Sequence, residues 1–557
     1  MTDNSIDNGF IKYNPIIFDL KNIKKSNIIS SIDNNDIIYS NNIAYPEFNL
    51  GFNYFIHQAK DKMDQTEKFA NRKKIYLVTS LFEKNIDYKE ETDDGIKFTS
   101  IDNGIKNFIK NINPKFPQIL NRAFLKLWEI LVMFDLIPDS ENFVSSHLAE
   151  GPGSFIQATI LYREMQQKLG FIKSFNKDKY YGVTLHSDHE HLLMQQEFIK
   201  YFDNEKLGRL NILETKSVKE INEMYGGAKR SHNNSEFISN GDITKLYTIN
   251  IFGGSKNNKG FAEQSDLITA DGGFDWKKEN LQEQEAFRLI ISEIVAALKL
   301  QKNNGNFVIK IFESFTKVTI KMIELLRSFY KKVYIVKPYT SRISNSEKYI
   351  VCKEFDKSLL TTSVLNKLEN MIANMNKNEN FNIIDIFNNT IISNDIIDSY
   401  KNINLQLLLK QYVGINNIIK FINLDNYNDI EFNTFLDKQI VASHFWNDTF
   451  LNTKLFNKIY KFCSSFDYFD FISHINTNDP DNISNNEIEI KIKTNKAPIN
   501  RQTGNNKTKK NIQKGGNLSE SSSIQNSDNS YSINSDNEIV GHLSDSDNII
   551  DLSNIHV

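Results

Sequence analysis

The chain has 557 residues, of which 40% are apolar and 12% aromatic, enough for two or three domains with sizeable cores. Its two cysteines, Cys352 and Cys463, exclude a disulfide scaffold and a Cys-rich zinc site, and they fit a reducing compartment. The net charge of −3 is not that of a uniformly basic nucleic-acid binder. No run of about 18 apolar residues occurs, so no transmembrane helix is expected. The first ten residues are polar and acidic, unlike a secretory signal. An intracellular, cytoplasmic setting is the expectation, with a nuclear one as the alternative.

Residues 1–115 form an N-terminal extension whose role is not legible, with one expected helix in the stretch GFNYFIHQAKDKMDQTEKFANRKKIYLVTSLFEKN. A strong amphipathic pattern then starts at Pro117, with apolar residues at 119, 120, 123, 124, 127, 130, 131 and 134. After it, short β-branched runs alternate with long amphipathic helices. In order these are FVSSHLA, a helix through SFIQATILYREMQQKL, KYYGVTL, DLITADGG and a helix over LQEQEAFRLIISEIVAALKL. NFVIKIFE, a helix over KVTIKMIELLRSFY, KVYIVKP and KYIVCKEF follow. That alternation predicts an α/β, Rossmann-like doubly wound sheet with helices on both faces, spanning 116–355. Residues 356–477 read as a separate C-terminal helical domain. From 478 the composition collapses to Asn, Ser, Asp and Lys, which predicts disorder. Within that tail, 491–514 hold eight Lys/Arg and no acid, whereas 515–557 hold seven Asp/Glu and no Lys/Arg. The basic segment reads either as phosphate-contacting or as a solvated linker.

Several motifs interrupt this frame. Glu150-Gly151-Pro152-Gly153-Ser154-Phe155 sits between a strand and a helix, where glycines admit a ligand to the backbone and a helix N-terminus offers free N–H groups. Ile156 stands where a dinucleotide fingerprint needs its last glycine, which argues against NAD. Asp271-Gly272-Gly273 follows the strand DLIT, at the end where open α/β sheets bind ligands. Lys310 shares a strand face with Val308 and Phe312, costly for a cation unless it is paired or functional. Lys126 lies in the apolar stripe of its helix, with Glu129 as a plain helical ion-pair partner in the ordinary reading. Glu347 precedes the last strand. His186, His189 and His191 read as a solvated helix start, and no metal site is expected. Taken singly, each motif also has an ordinary structural reading.

Their order resembles the Lys-Asp-Lys-Glu tetrad of FtsJ/RrmJ-type 2′-O-ribose methyltransferases. The matching segments are RAFLKLWEIL, HLAEGPGSF, YGVTL, GDIT, DLITADGGFDW, NFVIKIFESF and VKPYTSRISNSEKYIVCK. Within that family, KLWEI, ADGGFDW and KPYTSRISNSEKYIVCK are similar to eukaryotic and viral mRNA cap 2′-O-methyltransferases, and the Asn/Ile/Lys-rich style suggests a large-DNA-virus member. HLAEGPGSF leans to the type acting on the second transcribed nucleotide, ADGGF to the type acting on the first.

The resemblance implies methyl transfer from S-adenosylmethionine to a ribose 2′-hydroxyl near the 5′ cap, with Lys126, Asp271, Lys310 and Glu347 as the catalytic residues. Lys310 would be the proton acceptor, its pKa depressed by burial beside Lys126, while Asp271 and Glu347, which hold the ammonium groups, act to cancel that depression and leave the net shift open. Gly151 and Gly153 would line the methionine and ribose of the cofactor and Asp242 its adenine, with Pro152, Leu185 and Asp271 completing the set. The implied partners are capped mRNA and other capping enzymes, with no DNA and no membrane. A ribosomal-RNA methyltransferase and a catalytically silent RNA- or cap-binding subunit are the alternatives. Two departures stand out. Bacterial members carry an acid after the second strand that holds the cofactor ribose, whereas here YGVTL runs on into HSDHEH, which leaves open the residue that does this job. The insert between Leu185 and Asp242 is also longer than in a minimal bacterial enzyme, as an element shaping an RNA groove would be.

Overall fold

A computed structural model describes residues 6–7, 10–11, 15–32, 37–47, 50–62, 80–83, 86–92, 95–186, 196–203, 208–225, 239–256, 258–273, 281–424 and 430–451. Its centre is an eight-stranded sheet. In chain order the strands are β1 (Ile16–Asp19), β3 (Val144–Leu148), β4 (Lys179–Val183), β5 (Leu210–Ile212), β6 (Ser265–Ala270), β7 (Gln301–Ile311), β8 (Tyr330–Lys337) and β9 (Lys348–Phe355). The label β2 belongs to a short strand outside the sheet, Ile37–Ser40. Across the sheet the order is β1-β8-β9-β7-β6-β3-β4-β5. Strands β5, β4, β3, β6 and β7 run parallel, whereas β9 pairs antiparallel with β7 and β8, and β1 antiparallel with β8. From β3 the chain builds outward through β4 and β5, then returns to place β6 and β7 on the other side. The switch point of the sheet therefore lies between β3 and β6, where open α/β sheets form their crevice. The Rossmann-like fold read from the sequence is present.

Helices cover both faces. In chain order they are α1 (Leu50–Asp61), α2 (Asn103–Ile112), α3 (Ala123–Phe134), α4 (Ser154–Lys168), α5 (Gln196–Asp203), α6 (Val218–Tyr225), α7 (Leu246–Gly253), α8 (Gln282–Leu300) and α9 (Lys317–Phe329). Three more follow: α10 (Thr362–Lys377), α11 (Asn394–Leu424) and α12 (Ile430–Phe450). Phe307, Ile309 and Ile311 of β7 pack with α8 and α9, while Val308, Tyr349 and Val351 pack with α3 and α4. This is the alternation of a strand buried on both faces. Strand β3 is buried throughout although three of its five residues are polar. They satisfy one another: Ser145 Oγ meets His147 Nε2 at 2.8 Å, His147 Nδ1 meets Thr269 Oγ1 at 2.7 Å, and Ser146 Oγ meets Ser265 Oγ at 2.7 Å. Burial holds the His147 pKa down at about 3, so this is a neutral core histidine.

Two expectations are corrected. The helix expected from Pro117 begins at Ala123, because the Asn121 side chain accepts the Ala123 N–H and the Gln157 side chain accepts that of Leu120. Eleven of its twelve residues are buried, so its apolar stripe marks a helix enclosed all round. The helices after 356 are not a separate domain. Leu368, Met371, Ile372 and Met375 of α10, with Tyr400 and Ile403 of α11, belong to the core that holds α8 and α9. A strand absent from the sequence reading, β10 (Asn382–Ile386), pairs with β2 from the N-terminal extension. Residues 1–479 form one compact unit. Among the described residues no helix is long and apolar enough to cross a membrane. The tail from 478 lies outside the described residues, as do His189 and His191.

Helix α1 is anchored near the end of β7 by charge. Lys60 Nζ donates to Glu313 Oε1, and His57 Nε2 lies 3.3 Å from Glu313 Oε2. Burial pushes the Glu313 carboxyl up, but Lys60 and His57 outweigh it and hold its pKa at about 2. A carboxyl depressed in the folded state stabilises above its unfolded pKa, near 4.5, and that contribution disappears as pH falls toward 2. Lys60→Met should therefore flatten the loss of stability between those two pH values, as read by chemical denaturation at a series of pH. An unchanged pH slope would remove Glu313 as a cause of acid unfolding. Ile372→Ala, in the shared core, should cost about 2–5 kcal/mol. It should also move the same melting transition that Ile290→Ala moves, and two separately responding transitions would show two cores.

Candidate active site

The strand register brings the expected residues together. Leu148 of β3 pairs with Val183 of β4 and Ala270 of β6, and Ala270 pairs with Ile309 of β7. Asp271 and Lys310 are therefore the next residues beyond one line across the sheet. Lys310 faces Tyr349 in the antiparallel pairing with β9, and Glu347 lies two residues before Tyr349. Four segments far apart in sequence thus end at one edge.

There they form two linked ion pairs. Lys126 Nζ donates to Glu347 Oε2 at 2.8 Å and lies 2.7 Å from Oε1. Lys310 Nζ donates to the Asp271 carbonyl at 2.9 Å and lies 3.2 Å from Asp271 Oδ1. The Tyr349 hydroxyl donates to Asp271 Oδ1 at 3.0 Å, and Ser341 Oγ donates to Glu347 Oε1 at 2.8 Å. All four side chains are largely but not wholly covered. The glycines that follow Asp271 are shaped to it: a Cβ on Gly273 would meet only Lys310 Nζ, at 3.4 Å, whereas one on Gly272 would strike the Glu293 carboxylate.

The electrostatics decide the state of Lys310. Burial alone would lower the Lys310 pKa, but Asp271, Glu347 and Glu293 outweigh it and raise it. Lys310 is thus an ammonium in the resting site, rather than the depressed base that Lys126 alone would make, because the two acids cancel that depression, as the sequence had left open. Burial pushes Glu347 up, yet Lys126, Lys310 and Lys337 together hold it well below the usual carboxylate range. Lys126 pairs with Glu347 and not with Glu129, whose carboxylate is turned to other partners.

The sequence reading missed several members of this cluster. Lys337, at the end of β8, donates to Asn345 O and to Glu347 O, and burial lowers its pKa far below that of a free lysine. The signal was available, since Lys337 sits in a buried apolar strand run as Lys310 does. Glu150 was quoted only as the start of a glycine turn. It is buried, and burial raises its pKa well above the usual range while Asp271 and Lys310 act on it with opposite signs. Tyr349 carried no sequence signal of its own.

Beside this cluster lies the glycine turn. Gly153 opens α4 at φ 114°, a left-handed conformation suited to glycine. Gly151 N–H donates to Thr184 Oγ1 at 3.2 Å, which ties the turn to the end of β4. Glu150 Oε1 accepts the N–H groups of Phe155 and Ile156, whereas Glu150 Oε2 and Ser154 Oγ are buried without a partner. Across from the turn, Gly241 has φ 76°, and a Cβ there would lie 1.8 Å from the Thr184 carbonyl. The segment 240–242 is thus pressed against 184–186, with His186 N–H donating to Asn240 O at 2.7 Å. Leu185 is 53% exposed at this point. Asp242 spends one carboxylate oxygen on Thr244 N and Oγ1, in a turn of its own. Gly151, Pro152, Gly153, Leu185 and Asp242 thus gather at the carboxyl ends of β3 and β4. Orphaned polar atoms of Glu150 and Ser154 beside an exposed leucine suit a ligand with an amino-acid head and an apolar ring. Among the described residues no group of His, Cys, Asp or Glu could hold a metal ion.

Comparison with known proteins agrees with this geometry. Residues 119–355 match the model of the FtsJ-like methyltransferase family. A cap-specific mRNA (nucleoside-2′-O-)-methyltransferase 1 of Drosophila melanogaster is 32% identical over 162 residues, covering 27% of this chain and 20% of that protein. Its namesake in Dictyostelium discoideum is 42% identical over 118 residues, covering 21% and 15%. The Bos taurus protein of the same name is 28% identical over 250 residues, covering 42% and 26%. The chain thus spans about a quarter or less of the length of these relatives. Fold topology, the converged lysine–carboxylate pairs and the family match coincide on one segment, residues 119–355, which is similar to the FtsJ-like methyltransferase family.

Proposed function

We propose that this protein is an RNA 2′-O-ribose methyltransferase that uses S-adenosylmethionine and acts near the 5′ cap of mRNA. The observation that carries the reading is the convergence of Lys126–Glu347 and Lys310–Asp271 at one sheet edge, beside the glycine turn of Gly151–Gly153. The names of the related proteins favour capped mRNA over ribosomal RNA. When bound, S-adenosylmethionine supplies an electrophilic methyl and a sulfonium charge that opposes protonation of a nearby amine. The chain's own residues do the rest. Asp271 and Tyr349 fix Lys310 at the sheet edge, and Lys126, fixed by Glu347, adds a second positive charge to stabilise the developing alkoxide. As the methyl is transferred, Lys310 in its neutral form would take the hydroxyl proton at Nζ. Because Asp271 and Glu347 favour the ammonium, only molecules in which Lys310 has lost its own proton are competent.

Two outcomes follow. Labelled S-adenosylmethionine should transfer methyl to capped RNA, and nuclease mapping of RNAs differing only in prior first-nucleotide methylation should locate it. Transfer to uncapped ribosomal-RNA fragments alone would replace the cap reading. Because Asp271 and Glu347 hold Lys310 protonated into and beyond the ordinary lysine range, turnover should keep rising with pH through neutrality with no plateau below that range, and Lys310→Ala should cost about 10²–10⁴-fold with cofactor affinity nearly intact. A pH-independent rate, or a variant that keeps more than about a tenth of wild-type turnover, would remove Lys310 as the proton acceptor.

A further inference from the structure

Helix α12 lies outside the segment 119–355, yet it reaches the loop that carries Glu347. Its inner face is Gln439, Ala442, Ser443, Trp446 and Phe450, a three-to-four-residue spacing, and all five are buried. Trp446 Nε1 donates to Glu129 Oε1 at 2.9 Å. Glu129 stands on α3 three residues after Lys126 and is fully buried. The same Oε1 accepts Thr340 N at 2.9 Å and Thr340 Oγ1 at 2.6 Å, while Oε2 accepts Tyr339 N at 2.6 Å. Ser341, the next residue, donates to Glu347 Oε1, whose carboxylate holds Lys126. A chain of single contacts therefore runs from Trp446 through Glu129 and Thr340–Ser341 to Glu347, and returns to α3 at Lys126.

We infer that Trp446 is a positioning residue for methyl transfer, acting through Glu129 to fix the 338–346 loop and with it the Glu347–Lys126 pair. Among the described residues the hydrogen-bond partners of the Glu129 carboxylate are four neutral donors, which support its charge. Burial pushes its pKa up to about 7 against these donors, so loss of one weakens the whole clamp. Ring contacts give α12 a second hold on the same loop, with Tyr339 against Phe445 and Phe450 at 5.8 and 6.0 Å between centroids. The Tyr339 contacts do not involve Trp446, and Trp446→Phe keeps an aromatic ring in place while it removes the N–H and part of the indole's volume.

The inference rests on the methyltransferase reading, and its test separates the two. In the full chain, Trp446→Phe should lower kcat about tenfold, the loss of one hydrogen bond to a charged group, with KM for S-adenosylmethionine within about twofold. Glu129→Gln should do the same or more. The double variant should be no worse than Glu129→Gln alone, since both act through one carboxylate. The chain has three tryptophans, so its ¹⁵N-indole spectrum is small. The Trp446 indole signal, assigned by its loss in Trp446→Phe, or from labelled wild type if that variant does not fold, should move in Glu129→Gln. Unchanged kcat in Trp446→Phe, losses that multiply in the double variant, or an indole signal that stays put in Glu129→Gln would each overturn the inference. A wild-type chain that methylates no RNA while its indole signal still moves would overturn the functional reading and leave the clamp standing.

Discussion

Glu347 is the charge on which the site depends. Three lysines, Lys126, Lys310 and Lys337, come into its field at the carboxyl edge of the sheet, each largely withdrawn from water. An unpaired buried ammonium is costly, and three of them at one edge would repel one another. One carboxylate, itself held by Ser341 and backed by Asp271, makes the cluster tolerable. The arrangement is therefore a balance rather than a row of independent groups. It explains why Lys310 rests as an ammonium, although a lysine so covered would be neutral if burial acted alone. Reactivity in such a site comes from changing the balance, because the resting state favours the charged amine.

That balance needs geometry held to fractions of an ångström, and the sheet provides it. In-register pairing of β3, β6 and β7 sets Asp271 and Lys310 one step beyond a common line, and the antiparallel strand β9 turns Tyr349 to face Lys310. A one-residue slip of β9 would turn Tyr349 away and carry Glu347 out of reach of Lys126. Burial on both faces makes such a slip expensive, so the packing of Phe307, Ile309 and Ile311 on one side and Val308 on the other protects the chemistry as well as the fold.

Much of this was legible in the sequence, for physical reasons that can be named. Strands such as NFVIKIFE and helices such as LQEQEAFRLIISEIVAALKL announce themselves by periodicity, and Lys310 by its cost within an apolar run. The four expected catalytic residues meet where the order of motifs implied. What was not legible depends on long-range context. Lys126 pairs with an acid 221 positions away, and not with the neighbour three positions on, because Glu129 is claimed by backbone donors that no local pattern reveals. The sign of the Lys310 shift required counting acids brought in from three other segments. The helices after 356 were misassigned as a domain of their own because an amphipathic helix shows which face is buried, and never against what. Helix α3 began late because side-chain caps from Asn121 and Gln157 competed with its pattern.

Two strands of the N-terminal extension, β1 and β2, have a consequence for how the molecule is made. Strand β1 is synthesised long before its partner β8 at 330–337, and β2 long before β10 at 382–386. Such distant pairings close late, so the edge along β8 stays open until β1 docks on it. An excised fragment limited to residues 119–355 lacks β1 and keeps that edge permanently, together with the uncovered faces of α8 and α9 on which α10 would rest. The family boundary marks where relatives can be aligned. The boundary of the unit that folds lies well beyond it on both sides.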